Sequence, residues 1–252
     1  MSDRDDDFFV GWAEPLEKDR RFFLKAGIGL TVTTAAAAAG FALAQRQPSP
    51  GVWNLADVRE FRGQVVSSPY PMLRTADVTG APMTALLACE TKCGVQARLN
   101  SVKDGPVVVR GTLIQRGPHA MITVVEGVDW IEPSAEPVPA ALVFESPEPV
   151  SDVTLDGEIL DTKCWFGAMN PNEGKSHKAC ASLCIRGGIP PALYVQTPQK
   201  QSALMIMTHR GQGFGPELLP FVADPVRVSG QLSHWGDLLL LDTGIERVDF
   251  LS

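Results

Sequence analysis

Several kinds of chemistry have no signature in this chain of 252 residues. There is no C-x-x-C-H for covalent haem, no C-x-x-C redox pair and no G-x-S-x-G nucleophile elbow. The paired C-x-H and C-x-x-H of a Rieske cluster are missing as well. No acid/base pair or activated nucleophile can be picked out, which places an enzyme behind a binding or structural protein. Positive charge is scarce: 22 Lys and Arg against 29 Asp and Glu leave a net −7. Neither a nucleic acid nor an anionic membrane surface is therefore indicated as a partner. Cysteine is sparse too, five in the whole chain, too few for a disulfide-built scaffold. Three of the five, however, fall in one short stretch.

What is present begins with a hydrophobic segment. Residues 26–44 run nineteen positions without a charge, about 28 Å as a helix and close to a bilayer core of about 30 Å. Arg4, Lys18, Arg20, Arg21 and Lys25 precede it and only Arg46 follows closely. The positive-inside rule then leaves residues 1–25 in the cytoplasm and the body outside. Asp19-Arg20-Arg21-Phe22-Phe23-Leu24-Lys25 resembles the twin-arginine export signal, with Asp19 in place of its leading Ser or Thr. Ala42-Leu43-Ala44 suits a signal peptidase, but the apolar run exceeds the 7–15 residues of a usual signal core. The expectation is a single-pass inner-membrane anchor in contact with the lipid bilayer and a body on the periplasmic side, with secretion after cleavage before Gln45 as the alternative.

The 23 Gly and 20 Pro imply many turns, and short alternating apolar runs bounded by Gly imply strands. The body reads as mainly β: two tandem OB-like barrels, over 45–132 and 153–252, joined by a proline-rich linker, 133–152. The halves match as repeats. Residues 61–66 answer 155–160, Pro71-Met72-Leu73 answers Pro191-Ala192-Leu193, and 85–87 answers 203–205. Short helices at 95–99 and 216–222 each precede a closing hairpin. Gly63 and Gly157 are 94 apart while Pro71 and Pro191 are 120 apart, so the second half carries 26 additional residues, lying within 161–188.

That insertion holds Cys164, His177, Cys180 and Cys184. Ser176 is a candidate N-cap, and Gly187-Gly188 before Pro190-Pro191 stops the helix. At 3.6 residues per turn, His177, Cys180 and Cys184 share a stripe about 60° wide. Cys164, at the end of the preceding strand, can meet that stripe. A Cys₃His set suits zinc or another thiophilic metal. The competing expectation is a disulfide from Cys164 to Cys180 or Cys184, stapling helix to strand. Cys89 and Cys93 can pair locally or supply a remote partner. His119, His209 and His234 read as surface or turn residues, and Trp165-Phe166 as packing.

Phe8-Phe9-Val10-Gly11-Trp12, Pro50-Gly51-Val52-Trp53 and residues 58–63 lie around the anchor. Pro69-Tyr70-Pro71-Met72-Leu73, Gly111-Thr112-Leu113-Ile114, Asp161-x-Lys163-Cys164, His177-x-x-Cys180-Ala181-x-x-Cys184 and Gly187-Gly188-Ile189-Pro190-Pro191 follow. Together they resemble a group of bacterial membrane-anchored or exported proteins to which no activity is assigned. The resemblance implies architecture and site rather than function. The reading is an extracytoplasmic accessory protein that binds a metal or redox cofactor beside a membrane redox complex. Its alternative is a structural interaction module stapled by a disulfide.

Overall fold

The computed structural model describes residues 17–44, 51–99, 102–197 and 201–251. Expectations for residues 1–16 and 45–50, including the cleavage point before Gln45, lie outside these. The chain divides into two units, Met1–Pro48 and Ser49–Ser252. In the first, helix α1 spans Glu17–Ala44 and so starts nine residues before the apolar run. Glu, Lys and Arg are good helix formers, and Arg21 pairs with Glu17 one turn earlier at 2.5 Å. No helix among the described residues is long and apolar enough to cross a membrane.

The second unit is mainly β with few helices. Its first sheet contains β1 (Arg59–Val66), β2 (Met72–Ala76), β3 (Pro82–Cys89), β4 (Gly105–Arg116) and β5 (His119–Val124). These close into a barrel through the pairings β1–β2–β3–β5–β4–β1, all antiparallel except β3 with β5. The second sheet contains β6 (Glu148–Asp161), β7 (Pro191–Gln196), β8 (Ser202–His209), β9 (Pro225–Trp235) and β10 (Leu238–Asp242). Its pairings run through the same ring, β6–β7–β8–β10–β9–β6, with β8 and β10 the parallel pair. The repeat shows in a shared glycine requirement. A Cβ on Gly63 in β1 would stand 1.9 Å from Arg74 O, and one on Gly157 in β6 would stand 2.5 Å from Tyr194 O. Each marks where the first strand of its ring crosses close over the second.

The helix α2 (Gln96–Leu99) and a 3₁₀ turn, Pro216–Phe221, occupy corresponding places before the last hairpins. The stretch expected as linker is partly strand: β6 already begins at Glu148, and Pro149 pairs with Ser233 beside a bulge. Only β9 flanks β6 at that point, so a proline without an N–H is tolerated on the open edge. The intervening residues pack against both sheets. Phe144 N–H donates to Gln64 Oε1 at 2.5 Å, and the Phe144 ring lies 5.0 Å from Trp235.

Alternation along the strands fills three cores. Phe61, Val65, Leu87, Val107 and Ile122 fill the first ring, and Ile159, Leu193, Met205, Val228 and Leu241 the second. The third core lies between the sheets, where Met72, Leu86, Ile114 and Met121 meet Leu160, Tyr194, Leu204, Ile206 and Leu240. Burial on both faces explains why residues 84–88 and 204–208 are continuously apolar or small rather than alternating.

Candidate metal centre

Between β6 and β7 the chain makes a short π-helical turn (Cys164–Ala168), a 3₁₀ turn (Lys175–His177) and helix α3 (Lys178–Arg186). The helix ends at Gly187 as its sequence requires. Ser176 does not cap it: His177 stands at the N-cap position, with no side-chain hydrogen bond there. Cys164 sits three residues past the end of the strand, on the π-helical turn, and its N–H donates to Asp161 Oδ1 at 2.9 Å.

The turn and the helix bring Cys164, Cys180 and Cys184 together, their sulfurs all within 4.8 Å of one another. Cys164 Sγ and Cys180 Sγ are 3.8 Å apart. All three thiols are free; the disulfide of the described residues joins Cys89 to Cys93. The staple expected from Cys164 to the helix is thus not formed, and the local pairing in the first sheet is. His177 lies at the edge of this group. Its Nε2 is 3.0 Å from Asp161 Oδ2, and a second triad, Asp161, Cys164 and His177, has ligand atoms within 4.8 Å and shares Cys164 with the first. Asp161 and His177 are both buried. The cluster of Cys164, Cys180, Cys184 and His177 has the donors and the proximity to bind a metal.

Further residues, none of them predicted as site residues, complete the surroundings. Lys92, in the loop between the bonded cysteines, places Nζ 2.6 Å from Cys180 Sγ. Lys163 is buried and donates to three successive carbonyls of that same loop, those of Cys89, Glu90 and Thr91, at 2.6–2.7 Å. Met169 Sδ lies 3.5 Å from Cys180 Sγ. The loop is docked on the helix end as well: Gly94 N–H donates to Gly187 O at 2.8 Å, and a Cβ on Gly187 would meet Lys92 O at 1.9 Å. From the other side Arg116 donates to Trp165 O at 2.8 Å and covers the Trp165 ring at 4.2 Å. His119 is packed here rather than on the surface, stacked on Phe166 at 5.6 Å. Trp165 and Phe166 are core residues, as expected.

The electrostatics favour the thiolate at Cys184 and the neutral thiol at Cys164. Within the Cys164–Cys184 pair, the hydrogen bond from Cys164 lowers the Cys184 pKa, and the same bond with burial raises that of Cys164. The Cys180 contact raises the Lys92 pKa and keeps its ammonium charged. Burial pushes Lys163 down to about 8, against the opposing pull of Cys184, Cys164 and Asp161. Comparison with family models, with curated proteins and with solved structures finds no match to this chain.

Proposed function

We propose that this protein is a non-enzymatic accessory module whose second β sheet carries a metal centre, with Cys164, Cys180 and Cys184 as thiolate ligands and His177 at its margin. One observation carries the reading: three free sulfurs within 4.8 Å of one another, two of them buried, beside two lysines. Zinc or another thiophilic ion fits such donors, and binding would release the remaining thiol protons. The shared ring order supports reading both sheets as OB-like barrels, the second bearing the insertion. The apolar run 26–44 and its basic flank support an inner-membrane anchor with the body on the periplasmic side; the export-like signal together with the thiol cluster motivates a membrane redox complex as its neighbour. The resemblance to bacterial membrane-anchored proteins agrees with that placement.

Metal analysis of anaerobically purified protein tests the centre. Wild type is expected to hold close to one equivalent of metal and Cys184→Ser much less; no metal in either rejects the proposal. A second reading, a structural module closed by oxidation, draws on the 3.8 Å approach of Cys164 and Cys180. Mass spectrometry without reductant decides it, since insertion thiols that stay free in air exclude that staple.

A further inference from the structure

Three cysteines leave a tetrahedral ion one ligand short, and two side chains stand near enough to supply the fourth. His177 is the one that helix geometry favours. Its Nε2, however, is engaged by Asp161 at 3.0 Å, and of the three sulfurs only Cys164 belongs to its triad. The other is Met169. Gly167, at φ 138°, turns the chain out of the π-helical turn, and Met169 follows in extended conformation at φ −151°. This path sets Met169 Sδ 3.5 Å from Cys180 Sγ, so that Cys180 lies between Cys164 and a thioether. Met169 is 43% exposed while Cys164 and Cys184 are buried, which puts the thioether on the solvent side of the group.

We propose that Met169 supplies the fourth donor and that the site is an all-sulfur pocket selective for copper(I). This rests on the three-thiol reading above and adds the identity of the ion. Soft thioether and thiolate donors suit a soft monovalent ion, whereas structural zinc draws its ligands from Cys, His and carboxylates. An iron–sulfur cluster asks for four cysteine ligands, and the insertion has three.

The test uses the full chain, purified anaerobically and titrated with copper(I) or zinc(II) against chromophoric chelators, as wild type and as Met169→Leu. Leucine keeps the volume and removes the sulfur, and the position is half exposed, so the fold is retained. Copper(I) affinity is expected to fall roughly tenfold or more in Met169→Leu, a loss on the scale seen when even a metal's outer partners are removed. Zinc affinity is expected to be essentially unchanged, because a thioether is not among the ligands that zinc draws on. X-ray absorption of copper-loaded wild type should show sulfur neighbours only. Equal copper(I) affinity in the two proteins, or a nitrogen neighbour in wild type, overturns the Met169 assignment and leaves the thiol centre standing. Failure of both ions to bind wild type overturns the two together.

Discussion

Lys163 donates to three successive carbonyls, and it does so from a buried position among thiols. Replacing it by Met would strand those acceptors and is expected to destabilise the protein by at least about 2 kcal/mol, measured by denaturant unfolding. Its titration has a sign of its own. Burial holds the folded-state pKa near 8, below the unfolded value of about 10.4. Between these values the unfolded chain binds the proton that the folded chain has lost, so this residue adds stability as pH rises through that window. The gap between wild type and Lys163→Met in metal-free protein should therefore widen from about pH 8 to about pH 10.4. A gap that narrows would contradict the buried placement. Asp161 is a second such residue, accepting from Cys164 N–H and bonded to His177. Asp161→Asn keeps the size and disturbs one of these bonds, for an expected loss of about 1–3 kcal/mol in thermal or denaturant unfolding.

Two elements from different sheets make the site: the insertion between β6 and β7, and the loop that follows β3. Gly187 is the hinge of their contact, because any Cβ there would run into Lys92 O. Gly187→Ala is expected to push the loop off the helix end and withdraw Lys92 from Cys180. The melting temperature should fall by a few degrees, corresponding to about 1–2 kcal/mol. Metal affinity should fall with it; a variant that melts and binds as wild type would show that the loop does not close the site. The boundaries of the insertion, its helix and the thiol stripe were legible in the sequence, because a repeat offset, a 3.6-residue period and a glycine stop are local signals. Lys92 was not, since it meets Cys180 across 88 residues and no periodicity connects them. Met169 escaped for a related reason: its approach depends on Gly167 reversing the chain, and a methionine in a loop carries no pattern. Asp161 closes a strand that already carries Glu148, Asp152, Asp156 and Glu158, where sequence alone cannot distinguish a buried carboxylate from an exposed one.

In the whole of Ser49–Ser252 the two sheets are one compact unit, not beads on a linker. Leu86 and Ile206 face each other's sheet in a common core, and the Tyr70 hydroxyl donates to Met207 O at 2.7 Å while accepting from Phe214 N–H. The sequence announced strands and their repeat. It was silent on this shared core, because a strand buried on both faces loses the alternation by which its second face would be recognised. Leu86→Ala, at the junction, is expected to lower stability by about 2–5 kcal/mol and to leave a single unfolding transition. Two separate transitions in calorimetry would mean that the sheets fold independently. The candidate centre depends on the same union, since the loop carrying Lys92 follows a strand of one sheet and the three thiols lie in the insertion of the other. Anomalous diffraction from crystals grown with metal under anaerobic conditions examines that centre directly. The account predicts one peak lying about 2.3 Å from the sulfurs of Cys164, Cys180 and Cys184. No peak at that position, or density joining two of those sulfurs in a bond, would contradict it.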